Sequence, residues 1–506
     1  MTATAASPLS EEERAGKKLF LEGVGASGEE ISARVGASNT PVPGPVVACG
    51  NCHGPDGLGR LEGGVTAPAV TWSELTKSYG HTHADGRRHP PFTEDSLRVA
   101  LLDGRDPAGN RLDPAMPRYA IGRDDLRRLI AYLKRLETDR DPGVGDASLR
   151  VGTLLPASAQ AAEIAAVTER VLRAYFDDIN ARGGIYGRRL ELLTAETGAT
   201  PEATAENIKR LVVDKGVFAL VAPFTAGAEA PMAAWAEERR VPVIGPVTPR
   251  GHPGAAINRY TFYVLGGLSE QSAVLADFAA QAVPPPAGTL AAVYLDEDGN
   301  DAVVQSFKAH ATERGIGQVV EIGYPAGRLD AEVVIQRLAS AHPKALLFLG
   351  PEQDLDALLR RAASERWYPH VLLPAAVGGR AASGAPDGFD GRVLLAYPWL
   401  PTDFGPPGAE IFADFRARHK LNAAPLVPQV SAYTSAMLLA EGLRRAGRQL
   451  SREKLIAALE TVQDFHTGLV PPLSYNAGRR VGAIGAHVVA FDAKNRSFRP
   501  VAPWRQ

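Results

Sequence analysis

The chain has 506 residues, of which 45% are hydrophobic and 22% charged, and its formal net charge at pH 7 is −2. This length predicts about three domains of ~150 residues each, and the composition is that of a globular protein with large apolar cores. The nearly balanced charge argues against nucleic acid or an anionic membrane as a general partner. Because no run of 18 apolar residues occurs, we expect no membrane span.

The chain opens with a predicted helix and a loop. Ser10 followed three residues later by Glu13 is a capping box, which predicts that a helix begins here and turns Leu19 and Phe20 inward. The Gly/Pro-rich stretch 23–45 is too irregular for a long element, so we expect a loop there.

The only two cysteines of the chain, Cys49 and Cys52, are followed directly by His53. This C-x-x-C-H spacing is typical of c-type haem attachment, in which two thiols bind the vinyl groups and the adjacent imidazole binds the iron. The alternatives are a redox C-x-x-C, which would sit near a βαβ pattern, and half of a zinc site. A structural zinc site needs four ligands, and no second Cys pair exists, so we predict covalent haem.

Three histidines follow the haem motif: His81, His83 and His89. They lie in a polar, Gly-containing segment, where we expect solvated surface side chains. They are nevertheless rival iron ligands. A bis-histidine iron site and a separate surface metal site remain alternatives.

Met116 lies in a loop between Pro114 and Pro117, in a chain with four methionines. A methionine held between two prolines is poor core filler, but its thioether would point in one direction. As a sixth iron ligand, its soft sulfur would favour Fe(II) and raise the reduction potential relative to bis-histidine ligation. The alternative is a methionine that merely fills a gap in the core.

The last predicted helix of this region covers 124–135, with acidic residues at its start and Lys134 and Arg135 at its end. Its apolar stripe consists of Leu126, Leu129, Ile130, Leu133 and Leu136.

Together these motifs resemble class I cytochromes c over roughly 130 residues. The similar motifs are Gly-Lys-Lys-Leu-Phe at 16–20, the C-x-x-C-H-G run, Met-Pro-Arg-Tyr at 116–119 and the helix containing Ile-Ala-Tyr-Leu at 130–133. The resemblance implies an all-α domain over 8–138 that carries one covalently attached haem c.

The same resemblance implies functions for individual residues. Cys49 and Cys52 would hold the haem, and His53 and Met116 would ligate the iron. A Pro carbonyl would accept the Nδ1–H of the histidine, and Pro68 is the candidate for it. The resemblance also implies that the two terminal helices cross. The insertion over 21–48 departs from the family pattern.

Haem attachment raises a question of compartment, because cytochrome c maturation takes place on the periplasmic side of the bacterial inner membrane. Met1 opens a short polar segment with no apolar stretch typical of a signal peptide. We therefore expect a periplasmic protein whose leader has been replaced by Met1 in the sequence given.

A polar stretch over 139–147 that contains Pro and Gly and shows no periodicity predicts a linker with domain motion about it. The second region, 148–506, alternates strand and helix. The predicted strands are 149–155, 190–194, 217–222, 241–244, 290–295, 345–349, 371–373 and 393–396. The predicted helices include 163–180, 201–214, 229–239 and 331–340. Strands that are apolar on both faces imply parallel sheets covered by helices, so we predict two doubly wound α/β lobes with a cleft between them.

Two loops at predicted strand ends carry hydroxyl groups, at Thr225 and Thr248. A hydroxyl and free N–H groups at a helix N-terminus favour an anion such as a solute carboxylate. Small residues are also common at strand–helix turns, so a simple helix cap at Thr225 is an equally good reading of the residues alone.

The second region is similar to type I periplasmic binding proteins of the leucine/isoleucine/valine-binding class. The similarity rests on the helix and turn 174–187, Val-Pro-Val-Ile-Gly-Pro at 241–246 and the closing segment that begins at Gly468. It implies two lobes that close over a small polar solute. The ligand-binding positions that it implies are Ser158, Thr225, Ala226, Thr248 and Asn300.

Departures from that family bear on the solute. Where amino-acid binders place an acidic residue to receive the ammonium group, this sequence has Pro-Ala-Ala-Val-Gly at 374–378. Because an ammonium desolvated without a counter-charge costs several kcal/mol, we expect a carboxylic acid that lacks an α-amine. Asp296, Asp298 or Glu352 could supply a charge from a shifted register.

The leading functional hypothesis is a periplasmic electron carrier that holds a solute and accepts electrons from a periplasmic dehydrogenase or other redox partner. The alternative is a receptor that delivers solute to an ABC permease and carries an accessory cytochrome. An enzyme is disfavoured, because ligation by His53 and Met116 would leave no open iron position. In addition, the binding half has no G-x-S-x-G motif.

Overall fold

The computed structural model describes residues 9–36, 38–62, 65–83, 86–225, 227–251, 258–282, 288–297 and 299–505. The chain divides into two compact units, Met1–Asp141 and Pro142–Gln506. The division falls inside the stretch 139–147 that was predicted to be a linker. Each unit has hydrophobic clusters of its own.

The first unit is built on helices with short strands between them. The helices are α1 (Glu11–Glu22), α2 (Cys49–His53), α3 (Trp72–Leu75), α4 (Glu94–Asp103) and α5 (Arg123–Arg135). The strands are β1 (Ser32–Val35), β2 (Thr40–Pro43), β3 (Arg60–Glu62), β4 (Val65–Ala67), β5 (His81–Thr82), β6 (Arg88–His89) and β7 (Arg118–Ala120). The capping box at the start of α1 is present, since the backbone N–H of Glu13 donates to Ser10 Oγ at 3.2 Å and Glu13 Oε2 accepts from the N–H of Ser10 at 2.7 Å.

Helices α1 and α5 pack directly against each other. The contact is close because Gly16 has no side chain: a Cβ there would lie 2.0 Å from the carbonyl oxygen of Arg128. The rings of Phe20 and Tyr132 pack at the same contact, with their centroids 5.7 Å apart. Leu19 and Phe20 are 1% exposed, as the amphipathic pattern of α1 predicts.

The prediction of a loop over 23–45 was wrong, because the segment forms two strands. Strand β1 pairs antiparallel with β2 on one side and with β7 on the other, in the order β2-β1-β7. The strands are four residues long and β2 contains two prolines, which is tolerated because β2 lies at the edge of the sheet.

The second unit consists of alternating strands and helices. Its strands are β8 (Ser148–Leu155), β9 (Arg189–Glu196), β10 (Ala219–Val221), β11 (Val243–Ile244), β12 (Thr261–Leu265), β13 (Leu290–Leu295), β14 (Val319–Tyr324), β15 (Ala345–Leu349), β16 (His370–Pro374), β17 (Val393–Tyr397), β18 (Val481–Ala483), β19 (Ala486–Asp492) and β20 (Ser497–Arg505). Its helices are α6 (Ala162–Ala181), α7 (Pro201–Lys209), α8 (Glu229–Arg239), α9 (Leu268–Ala282), α10 (Asn300–Glu313), α11 (Ala331–Ala341), α12 (Glu352–Ser364), α13 (Ala375–Ser383), α14 (Gly408–Arg418), α15 (Leu426–Ala446) and α16 (Arg452–Glu460). Every strand predicted from the sequence is observed.

The strands form two sheets, one in each lobe. The first lobe has the order β18-β12-β11-β10-β8-β9, and all of its pairings are parallel. The second lobe has the order β14-β13-β15-β16-β17-β19-β20. Its pairings are parallel except at β17–β19 and β19–β20, which are antiparallel. The chain passes between the lobes after β12, after β17 and between β18 and β19. This arrangement confirms the prediction of two α/β lobes built on parallel sheets.

Within the described part of the chain, no helix is both long and apolar enough to cross a membrane.

Candidate functional site

Helix α2 carries the C-x-x-C-H motif. Cys49 is 9% exposed, whereas Cys52, three residues later, is exposed to solvent, and both are free thiols. Burial raises the pKa of the Cys49 thiol to about 11. A thiol that is protonated at neutral pH is unlike the low-pKa thiolate of redox C-x-x-C motifs.

The ring of His53 is held by the backbone of a neighbouring hairpin. Strands β3 and β4 pair antiparallel and lead into Pro68, whose carbonyl oxygen lies 2.8 Å from Nδ1 of His53. Burial lowers the pKa of His53, although the bond to Pro68 opposes the shift, and the ring is 7% exposed. A neutral imidazole that donates Nδ1–H keeps a lone pair on Nε2, which is the form that binds a metal.

A cavity of about 420 Å³ opens beside this imidazole. Cys49, His53 and Met116 all line it. Most of the remaining wall is apolar and includes Phe20, Leu75, Phe92, Leu97, Leu101 and Leu129. An apolar cavity of this size with a thiol, a neutral imidazole and a thioether in its wall fits a tethered porphyrin. The residues present therefore fit the haem that the motif predicts.

Met116 reaches the cavity from a short loop. The N–H of Met116 donates to the carbonyl oxygen of Asp113 at 3.0 Å, which closes a turn, and the side chain is partly buried. The structure thus brings Met116 and His53, which are 63 positions apart in the sequence (116 − 53), to the same cavity.

The expectation that His81, His83 and His89 are solvated surface residues was wrong. The pairing of β5 with β6 places His81 opposite His89, and all three rings line the cavity. The ring centroids of His81 and His89 are 5.0 Å apart, and those of His83 and His89 are 5.1 Å apart. Nε2 of His83 lies 3.0 Å from Nε2 of His89, which is 6% exposed. Among the described residues, no group of three His, Cys, Asp or Glu side chains is arranged to hold a separate metal ion.

In the second unit, the predicted solute residues of the first lobe follow the carboxyl ends of their strands. Ser158 follows β8 and is exposed, and Thr225 follows β10 and is 2% exposed. Thr248 follows β11, and its hydroxyl donates to Oε1 of Glu229 at 2.5 Å. Ala226 lies outside the described residues.

Asn300 opens α10 in the second lobe and is 4% exposed. Its Nδ2 donates to the carbonyl oxygen of Leu295 at 2.8 Å, and this bond stabilises the start of the helix. Its Oδ1 lies 3.5 Å from Nη2 of Arg250, which belongs to the first lobe. Arg250 also forms an ion pair with Glu297 of the second lobe. Asp298 lies outside the described residues.

Glu229, Arg250 and Glu297 were not predicted from the sequence. A signal was available: Glu229 lies in the first turn of α8, directly after the Thr225 loop, and Arg250 follows Thr248 by two residues. Their pairing depends on two lobes that are formed from distant parts of the chain, which local pattern does not give.

The position expected for an ammonium-binding acid lies at the end of β16 and the start of α13. Pro374 is buried there, and Ala375, Ala376 and Val377 follow without a carboxylate. The acidic residues Asp296 and Glu352 are exposed, so a charge supplied from a shifted register stays a prediction.

Comparison with known families gives two matches. Residues 148–488 match the family model described as periplasmic binding protein, and residues 39–137 match the one described as cytochrome c. The first match covers more than half of the chain.

Among curated proteins, the chain is similar to a leucine-, isoleucine-, valine-, threonine- and alanine-binding protein of Pseudomonas aeruginosa. The two are 24% identical over 292 residues, which are 56% of this chain and 74% of that protein. A Leu/Ile/Val-binding protein homolog 7 of Brucella suis is 22% identical over 318 residues, covering 59% of this chain and 77% of the relative.

Two solved structures illustrate the shared fold. A fatty acid ABC transporter substrate-binding protein from Thermomonospora curvata superposes with a TM-score of 0.57 at 18% identity, over 72% of this chain and 94% of that one. A branched chain amino acid ABC transporter from Thermus thermophilus with bound valine gives 0.56 at 18% identity, over 71% and 97%.

Proposed function

Given that the chain belongs to the periplasmic binding protein family and carries a cytochrome c domain, we propose that it is a periplasmic c-type haem electron-transfer protein. Its binding domain holds a small organic solute, a carboxylic acid without an α-amine. Electrons come from a periplasmic dehydrogenase or another redox partner.

The observation that carries the electron-transfer function is the meeting of Cys49, His53 and Met116 at one apolar cavity of about 420 Å³. Cys49 and Cys52 would hold one haem c covalently, and His53 and Met116 would ligate its iron. Pro68 fixes the tautomer of His53 by accepting its Nδ1–H at 2.8 Å.

When bound, the haem supplies a one-electron iron couple. The apolar wall excludes water, and the thioether of Met116 favours the reduced state over what a second histidine would give. Because His53 and Met116 would both ligate the iron, no iron position would be open to a substrate, and the proposal includes no enzymatic activity.

Two features support the proposed solute, although Glu229 and Glu297 also place negative charge between the lobes. The segment 374–378 offers no carboxylate to an ammonium group, whereas Arg250 stands between the lobes as a cation for a carboxylate. Ser158, Thr225, Ala226, Thr248 and Asn300 complete the site. A structure named as a fatty acid ABC transporter substrate-binding protein has this fold, so the fold is compatible with an acid that lacks an amine.

Mass spectrometry and absorption spectroscopy of protein matured in a periplasm test the haem proposal. We expect the mass of one added haem, and in the oxidised form a weak far-red band that disappears in Met116→Ala. A mass without haem would overturn the proposal, and a far-red band that persists in Met116→Ala would reject this ligand in favour of another side chain.

Isothermal titration of the haem-loaded protein with leucine and with a set of aliphatic and aromatic carboxylic acids tests the solute proposal. We expect binding of at least one acid and none of leucine. Micromolar binding of leucine would end the proposal of an amine-free solute.

The second candidate function is a receptor for an ABC permease with an accessory cytochrome. The relatives that are named as leucine-, isoleucine- and valine-binding proteins favour it. Genes beside the coding sequence discriminate between the two functions: a permease favours transport, and a dehydrogenase favours electron transfer.

A further inference from the structure

The insertion over 21–48 contacts the chain on both sides of Met116. Strand β1 pairs with β7, with Arg34 opposite Arg118 and Ala33 opposite Tyr119, so the pairing begins two residues after the methionine. At the other side, the N–H of Gly36 donates to the carbonyl oxygen of Pro114 at 2.9 Å, two residues before it. The insertion thus brackets the methionine loop.

The same insertion connects the strand that follows the methionine with the haem-attachment helix. The hydroxyl of Tyr119 donates to the carbonyl oxygen of Val47 at 2.7 Å, and Val47 lies two residues before Cys49. Tyr119 is 6% exposed, so this bond is shielded from water. A second tie runs from Nδ2 of Asn51 to the carbonyl oxygen of Pro45 at 3.0 Å. One segment therefore links the methionine loop to the helix that carries the thiols and the histidine.

Arg118 holds the methionine loop from within. Its guanidinium donates to the carbonyl oxygen of Met116 at 2.5 Å, of Leu112 at 3.1 Å and of Asp113 at 3.4 Å. Room for the guanidinium depends on Gly104, where a Cβ would lie 1.8 Å from Nε of Arg118.

We propose that the insertion over 21–48 and the residues Arg118 and Tyr119 form a brace that holds the thioether of Met116 at the haem iron. The inference rests on the proposed ligation by Met116. A long, flexible side chain keeps its place on the metal only if its loop is ordered beforehand. Each hydrogen bond that forms only when the loop is seated shifts the equilibrium towards the ligated state. Arg118 and Tyr119 are positioning residues, because they act through Met116.

Imidazole, added to the oxidised haem-loaded full chain, competes with Met116 for the iron and bleaches the far-red band. In Tyr119→Phe we expect the imidazole concentration that removes half of the band to fall about three- to tenfold, because one buried hydrogen bond is lost. In Arg118→Met we expect a fall of at least about tenfold, or a band that is already absent without imidazole, since three carbonyl contacts are lost. Arg118→Lys is expected to lie between the wild type and Arg118→Met, because lysine lacks the forked donors.

Two matched variants serve as controls. Tyr132→Phe removes another buried tyrosine hydroxyl, which donates to Asp139 Oδ2 at 3.0 Å, and Arg127→Met removes an arginine paired with Glu12 at 2.8 Å, outside the insertion. In both controls we expect half of the far-red band to be lost at the same imidazole concentration as in the wild type. The brace would be overturned if the imidazole concentration that removes half of the band were unchanged in Tyr119→Phe and Arg118→Met. It would also be overturned if the two controls shifted that concentration equally. If the wild type lacks a band that depends on Met116, the ligation proposal itself has failed, which is a different result.

Discussion

At the scale of single residues, the charged side chains between the lobes decide which solute is favoured there. The hydroxyl of Thr248 donates to Oε1 of Glu229 at 2.5 Å and has the carbonyl oxygen of Arg250 as a second acceptor at 3.0 Å, so it is engaged by the protein itself. Arg250, two residues later, spans to Glu297 of the other lobe. A solute carboxylate would be attracted by the guanidinium of Arg250 and repelled by the carboxylates of Glu229 and Glu297.

We expect Arg250→Met to weaken binding of the carboxylic acid about tenfold to a hundredfold, because a hydrogen bond to a charged group contributes about 1.5–3 kcal/mol. Titration calorimetry of the haem-loaded chain measures it. Arg210→Met, which removes an exposed cation of the first lobe, is the control and is expected to bind like the wild type. Equal affinity in Arg250→Met would show that the solute does not use this guanidinium.

Glu229→Gln is expected to act in the opposite direction. It keeps a hydrogen-bond acceptor for Thr248 but removes a negative charge beside the carboxylate position, so binding of the acid should strengthen severalfold. The gain should be larger at low ionic strength, because salt screens a charge at the cleft surface. Weaker acid binding in this variant would mean that the charge of Glu229 serves the solute, as it would for a cationic ligand.

At the scale of elements, the first unit depends on the crossing of α1 and α5. A Cβ at Gly16 would lie 2.0 Å from a backbone carbonyl oxygen of α5, which no rotamer change relieves. Gly16→Ala should therefore force the helices apart and lower the free energy of unfolding of this unit by about 2–3 kcal/mol. Urea unfolding followed at the haem absorption reports this unit alone. At Gly122, the N-cap residue of α5, a Cβ meets nothing within 4 Å, so Gly122→Ala should lose only the N-cap preference and cost no more than about 1 kcal/mol.

The elements also show what the sequence could and could not predict. The α1 capping box and the buried strands β8, β13 and β15 have strong local patterns, and they form where predicted. Strand β1 was missed, because four residues in a Gly/Pro-rich stretch form a strand only when β2 and β7 pair with it. Strands β19 and β20 were missed as well, since their antiparallel pairing depends on the chain returning to the second lobe.

The residues of the candidate site likewise include some that the sequence predicts and some that it does not. The haem motif is contiguous, so its spacing alone predicts the chemistry. The inward position of His89 depends on the pairing of β5 with β6, and a polar local sequence indicated the surface instead. Arg250 and Glu297 meet only because two lobes face each other, so no local pattern could have paired them.

At the scale of the whole molecule, one chain combines a site for one electron with a cleft for one solute. If the two are energetically coupled, linkage requires symmetry: solute that binds the oxidised protein more tightly must lower the midpoint potential by the equivalent amount. For a one-electron couple, a tenfold difference in affinity corresponds to about 59 mV. Such a protein would act as a sensor, because solute binding would change the midpoint potential and the oxidation state would change the affinity for the solute.

We expect the midpoint potential of the full chain to shift on saturation with the acid that calorimetry identifies. Spectroelectrochemistry at the haem band measures the potential with and without the acid, and titrations of the oxidised and reduced protein give two dissociation constants. The ratio of those constants must reproduce the shift, which makes each measurement a check on the other. Arg250→Met at the same acid concentration is the control: if binding is lost, the shift must be lost too, while the potential without acid stays at the wild-type value. If the midpoint potential does not depend on the acid, and the affinity for the acid does not depend on the oxidation state, the linker only tethers two independent domains.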